Sequence, residues 1–179
     1  VKIALENHED LTAEELASII GDIDDDHVGV CLDTGNGLCV YEDPLKTATL
    51  LAPYAISTHV KDQRLVRVEG KVYSVGTRLG SGDVELPGII EILMKRSGLD
   101  RLLIQDTTGY SAPMDPFGRG FKSRKGFQNV PEMSVGELEE EGMLISLEGL
   151  DADDLLCWAS RKDGFIEEDI AHLKSLVGD

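Results

Sequence analysis

The chain has 179 residues, 41% of them hydrophobic, with 17 Lys and Arg against 34 Asp and Glu and a formal net charge of −17. That length supports one domain with a sizeable core, and so acidic a surface repels phosphate backbones and anionic bilayers, which argues against nucleic acid and membrane partners but not against a metal cation or a neutral sugar. Cys31, Cys39 and Cys157 show no CxxC spacing, and neither a signal peptide nor a bilayer-length apolar run is visible, so cytoplasmic residence is the simplest expectation.

VKIALEN (1–7) reads as a strand, and its opening at Val1 points to a piece of something longer. LTAEELASII (11–20) has helical spacing, with Thr12 and Glu15 placed for a capping box. VGVCLD (28–33) is a second strand, and DPLKTATLLAPY (43–54) a helix with Asp43 as N-cap and Pro44 in the first turn. AISTHV (55–60) is a third strand. A hairpin is expected over 64–75, turning at Glu69-Gly70, then a Gly-rich loop to 86, a helix over 87–98 ended by Gly98, and a fourth strand, RLLIQD, at 101–106. Alternating strands and helices predict βα units on a parallel sheet. Residues 111–132 read as a basic, aromatic loop, followed by helical segments near 134–142, 151–161 and 165–177. The chain divides into 1–110 and a loop-and-helix extension, 111–179.

Each of the four strands ends in a polar cluster: Glu6-Asn7-His8, Asp33-Thr34-Gly35-Asn36, His59-Val60-Lys61-Asp62 and Gln105-Asp106. Ligands bind at the carboxyl ends of strands in parallel α/β folds. Residues alternate between strand faces, so Glu6 shares a face with Ala4 and Lys2, Asp33 with Cys31 and Gly29, and His59 with Ser57 and Ala55. These mostly small residues suit a crowded barrel interior. Ile3, Leu5, Val28, Val30, Leu32 and Ile56 lie on the opposite faces and suit helix-covered packing. Glu6, Asp33 and His59 thus converge on one lumen, and two carboxylates with an imidazole suit Mn, Mg, Co or Zn. Parity does not choose between Gln105 and Asp106 for the fourth strand. Plainer readings stand beside these. Asp-Thr-Gly-Asn is turn chemistry, His59 fits a structural role, and Lys61 and Asp62 fit a surface ion pair.

ALENH, CLDTGN, STHVKD, LGSGDVELPGII and RLLIQD, in this order over residues 1–110, resemble the second half of the xylose isomerase-like (β/α)8 barrels, a group of sugar isomerases, epimerases and related enzymes. The resemblance implies an α/β fold of the TIM-barrel type, with about four βα units, strands five to eight, plus a C-terminal helical extension. It implies a divalent metal held by Glu6, Asp33, His59 and the residue at 105, where Gln105 stands in place of the family's Glu. An amide can ligate but cannot take a proton, so the family's two-base epimerisation departs here. Asn36 replaces a substrate-contacting His of many members. Strands one to four are implied upstream or in a partner, so the N-terminal half of the barrel or a homo-oligomer is expected.

These expectations combine into a metal-dependent carbohydrate enzyme acting through an enediolate on a keto sugar or polyol. Glu6 would be ligand and general base, Lys61 would supply charge for the developing oxyanion, and His8, Asn36, Asp62 and Arg78 would contact substrate. A decarboxylase or dehydratase of a keto sugar acid uses the same site and needs only one base, and a non-catalytic half barrel is the remaining class. A DNA-repair endonuclease is disfavoured by four histidines and a charge of −17. Residues 111–132 are expected to fold over the site mouth as a lid or to reach a neighbouring subunit.

Overall fold

A computed structural model describes residues 1–122, 127, 129–144 and 150–178. Three parallel strands, β1 (Ile3–Glu6), β2 (Val28–Asp33) and β3 (Ala55–His59), form one sheet in that order. Helices α1 (Ala13–Ile23) and α2 (Pro44–Leu51) make the two crossovers. Thr12 caps α1 reciprocally with Glu15, and Asp43 caps α2 ahead of Pro44, so both starts follow the sequence signals.

The register puts Glu6 opposite Cys31 and Asp33 opposite His59. Asp33 lies two residues beyond Cys31, so Glu6, Asp33 and His59 share a face, as alternation requires. Val30, Leu32, Leu16, Ile20 and Leu51 are buried in the helix-covered core. Ile3 and Leu5 do not follow them. They are 61% and 37% exposed, because β1 is the sheet edge.

A second sheet follows, antiparallel, with β4 (Asp62–Val68), β5 (Lys71–Thr77) and β6 (Ser111–Pro113) in order. The hairpin is longer than 64–75, turns at Glu69-Gly70 as expected, and takes a third strand from a segment expected to be loop. Helix α3 (Leu86–Arg96) buries Leu86, Ile89, Ile90 and Leu93, one face at i, i+3, i+4, i+7. Each such side chain contributes about 1.5–3 kcal/mol by leaving water.

The fourth parallel strand shrinks to one bridge, Val60 with Ile104. The Val60 N–H donates to Leu103 O at 2.7 Å and the Gln105 N–H to Val60 O at 2.9 Å. The Leu103 N–H goes instead to the Thr58 hydroxyl, 2.9 Å away. A side chain has taken over where ladder pairing was expected.

Helix α4 (Val135–Glu140) covers a small second core with Val66, Val75 and Met133. Helix α5 (Ala152–Val177) is one continuous helix of 26 residues rather than two. Gly164 costs about 1 kcal/mol in a helix interior. Contacts on both sides hold the helix through it: Lys162 pairs with Asp106, and Phe165, Glu168 and Asp169 engage Arg78. Leu173 and Phe127 join the main core. No helix among the described residues is long and apolar enough to cross a membrane.

Candidate functional site

The carboxyl end of β2 carries the most constrained side chain. Asp33 is 1% exposed. Its Oδ1 accepts the N–H groups of Gly35 and Asn36, both at 2.8 Å, which closes the turn. Its Oδ2 accepts no hydrogen bond among the described residues and lies 3.2 Å from Lys61 Nζ. One oxygen therefore forms the turn while the other remains for a cation. Gly35 lets the lysine pass, since a Cβ there would sit 3.1 Å from Lys61 Cε.

Neighbouring side chains continue the ladder past the strands. Asn7 Nδ2 donates to Asp33 O at 2.9 Å, and the Asp33 N–H donates to Asn7 Oδ1 at 2.8 Å. On the other flank, the Lys61 N–H donates to the Thr34 hydroxyl, which donates to Lys61 O. These bonds fix where Asp33 and Lys61 stand.

Glu6 Oε1 accepts from Asn36 Nδ2 at 3.2 Å and lies 3.0 Å from His59 Nδ1. Asn36 Oδ1 accepts from Lys61 Nζ at 2.6 Å. Glu6, Asp33 and His59 offer ligand atoms that all lie within 4.8 Å of one another. Two carboxylates and an imidazole suit Mg, Mn, Co or Zn, and Asp33 Oδ2, ion-paired with Lys61 but accepting no hydrogen bond among the described residues, supplies a buried anionic oxygen for such an ion, so the residues fit a divalent metal. Burial pushes the Asp33 carboxyl up to about 6, aided by the Glu6 charge and opposed by Lys61 and the two turn N–H groups. Burial likewise raises the Cys31 thiol beneath it.

A cavity of about 200 Å³ opens beside this cluster, lined by Glu6, His8, Glu9, Asn36, Lys61, Gln105, Thr107 and Tyr110. A larger apolar cavity of about 420 Å³ between α3 and α5 shares no residue with it. Of the two residues that strand parity left open, Gln105 lines the site cavity, whereas Asp106 lies 3.0 Å from Lys162 and accepts from the Thr108 N–H.

Two expected substrate contacts lie elsewhere. Asp62 is fully buried, and its carboxylate accepts the N–H groups of Gln63, Gly80, Gly82 and Val84. It organises the Gly-rich loop and forms no surface pair with Lys61. Arg78 is drawn to α5, paired with Glu168, 3.5 Å from Asp169 Oδ1 and stacked 4.7 Å from the Phe165 ring. His8 lines the cavity and is exposed.

The 111–132 segment pairs with β5, then crosses toward α1. The Asp115 N–H donates to Cys39 O, and Arg119 pairs with Glu15 at 2.6 Å and donates to Asp10 O. Residues 123–126 and 128, which carry much of its basic charge, lie outside the described residues. Glu9, Thr107, Tyr110 and Asn7 escaped the sequence reading as functional groups. Asn7 belongs to the first polar cluster and Glu9 adjoins it, which was their signal, whereas Thr107 and Tyr110 sit in a connection with no periodicity.

The family described as xylose isomerase-like TIM barrel matches residues 1–126. Among curated relatives, the chain is 33% identical over 85 residues to 3-oxo-isoapionate decarboxylase of Pectobacterium atrosepticum, covering 46% of this chain and 30% of that protein. It is 26% identical over 90 residues to the uncharacterised protein YihM of Escherichia coli, covering 50% and 28%. The chain thus spans under a third of the length of either relative. A crystal structure of a xylose isomerase-like TIM barrel protein from Mycobacterium smegmatis, in complex with magnesium, superposes with a TM-score of 0.52 at 23% identity, covering 59% of this chain and 37% of that one.

Proposed function

We propose that the chain, a member of the xylose isomerase-like TIM barrel family, carries the second half of the barrel of a metal-dependent carbohydrate enzyme acting on a keto sugar or polyol. In this reading residues 1–110 are barrel and 111–179 an extension packed on it. The observation that carries the reading is the cluster of Glu6, Asp33 and His59, with ligand atoms within 4.8 Å at the carboxyl ends of three adjacent parallel strands. Gln105 lines the same cavity, and its Oε1, a buried acceptor with no hydrogen-bond partner among the described residues, is the candidate fourth ligand. A divalent cation held there supplies Lewis acidity toward a carbonyl and an adjacent hydroxyl.

The remaining chemistry is the chain's own. Glu6 takes the proton from the carbon beside the carbonyl, leaving an enediolate. Lys61 Nζ stands beside Asp33 and Asn36 as a buried positive charge near the oxygens where negative charge grows. Asn36, anchored to both Glu6 and Lys61, orients the pair.

A second reading is a lyase releasing carbon dioxide from a keto sugar acid. Gln105 favours it, because an amide at the fourth position cannot serve as the second base of an epimerase. The 33% identity to a decarboxylase over 85 residues accords with it. The test loads the chain with Mn²⁺ and offers ketoses and keto sugar acids. Exchange of the α-proton with solvent, followed by NMR, supports the isomerase or epimerase, and carbon dioxide release supports the lyase. Neither reaction, together with no Mn²⁺ uptake that Asp33→Ala removes, overturns both and leaves a non-catalytic module.

A further inference from the structure

Glu9 is a buried carboxylate on the cavity that the proposed chemistry does not use. It is 4% exposed. One group holding it is a neutral hydroxyl: Tyr110 OH donates to Glu9 Oε1 at 3.1 Å and to Oε2 at 3.2 Å. A carboxylate offers about four acceptor sites; the Tyr110 phenol and the Cys39 thiol both bond to Glu9, and sites remain for a ligand.

The wall beside Glu9 is built rather than incidental. The Tyr110 N–H donates to Thr107 O, and the Gly76 N–H donates to Tyr110 O, both at 2.9 Å. Gly76 must lack a side chain, because a Cβ would stand 1.9 Å from Thr107 O. Strand β5 thereby seats the 107–110 turn and delivers Thr107 and Tyr110 to the cavity. Thr107 lines the cavity, and its Oγ1, buried against Gly76, has no hydrogen-bond partner among the described residues. A buried unpaired hydroxyl costs about 1–3 kcal/mol unless something bonds to it. Carboxylate, threonine hydroxyl and phenol oxygen form an array that complements hydroxyl groups. The same carboxylate, with Glu6 on the same cavity, repels anions, while Lys61 is engaged by Asp33 and Asn36.

We propose that Glu9, Thr107 and Tyr110 form a polyol subsite that binds the uncharged, hydroxyl-bearing arm of the substrate and keeps phosphate or carboxylate groups off that arm. The proposal rests on the carbohydrate-enzyme reading for the reacting end of the substrate and adds the charge class of the other end.

The experiment uses the full chain loaded with Mn²⁺ and a panel of uncharged ketopentoses and ketohexoses beside their terminal phosphate esters and terminal carboxylates. Binding is followed by saturation-transfer NMR and turnover by proton exchange or carbon dioxide release. The uncharged ligands should bind best. Glu9→Gln should weaken them about tenfold, the loss of one charge-assisted hydrogen bond, and should erase most of the preference against anionic ligands, with Mn²⁺ affinity unchanged. Tyr110→Phe and Thr107→Val should raise KM more than they lower kcat. A wild type that prefers anionic ligands overturns the subsite and leaves the enzyme standing. So does a Glu9→Gln chain with unaltered KM and charge preference while Asp33→Ala abolishes turnover. Glu9→Asp guards against misfolding: wild-type charge preference retained at weaker binding supports the subsite, whereas a Tm loss with no effect on binding by either variant overturns it. A wild type that binds no sugar of either class overturns the subsite together with the carbohydrate reading.

Discussion

Replacing Asp33 by Asn removes a charge while keeping the oxygen that accepts from Gly35 and Asn36. Burial holds the Asp33 carboxyl at about 6 in the folded chain, against 3.8 ordinarily. A folded value above the unfolded one means that the native state binds the proton more tightly. The associated stability is fully present below about pH 3.8 and is lost as pH rises through about 6. The whole swing is about 3 kcal/mol, of which about 2 kcal/mol falls between about pH 4.5 and about pH 7.5. Urea melts in the presence of a chelator read it directly. Across that window, the stability of the wild type relative to Asp33→Asn should fall by about 2 kcal/mol. A divalent cation reverses the deficit, because it binds the charged carboxylate only in the folded chain. Mn²⁺ at about 100 times its Kd should return about 2.7 kcal/mol to the wild type at about pH 7.5, and almost none to the variant. A difference between the two chains that stays flat with pH, or an equal response of both to Mn²⁺, refutes the reasoning.

His59→Ala should weaken Mn²⁺ binding by at least about 100-fold in a calorimetric titration, since it removes a ligand rather than a supporting group. Asp62→Ala strips four backbone N–H groups of their acceptor; stability should drop by more than about 3 kcal/mol, with new proteolytic cleavage between 78 and 84. Arg119→Ala should return the Glu15 carboxyl, held down to about 2 chiefly by its hydrogen bond to Arg119 and then by the Thr12 N–H, most of the way to the usual range by NMR titration. The stability cost of Arg119→Ala should be small because the pair is solvent-exposed. That small contribution exists only while Glu15 is ionised and disappears as pH falls through its depressed value.

The parallel strands were legible because each is a short apolar run closed by a polar cluster, and the helix starts because Thr12, Asp43 and Pro44 are local capping signals. Glu6, Asp33 and His59 came together through side-chain parity alone, a property of the strand that needs no tertiary knowledge. Where partners come from distant segments, the sequence was silent. RLLIQD has strand composition, yet Thr58 takes the Leu103 amide and leaves a single bridge. Gly164 lies between the two helices expected over 151–161 and 165–177, and Arg78 and Asp106 grip the single helix on either side of it. Asp62 looks like a site residue from its position, and only the folded loop brings it four amides to hold. Ile3 and Leu5 alternate like core residues and are exposed because no described residue covers the β1 edge.

That edge bears on the timing of motions around Asp33. Asn7, just past β1, clamps both backbone groups of Asp33 with its side-chain amide. Edge strands open locally at far lower free energy than central ones, and an excursion of β1 carries Asn7 away from Asp33. The Asp33 amide should therefore exchange with deuterium at the rate of edge fraying rather than of global unfolding. A strand that paired along β1 would slow this exchange and narrow the spread of Asp33 positions, stiffening the cation site from a distance without touching any of its ligands.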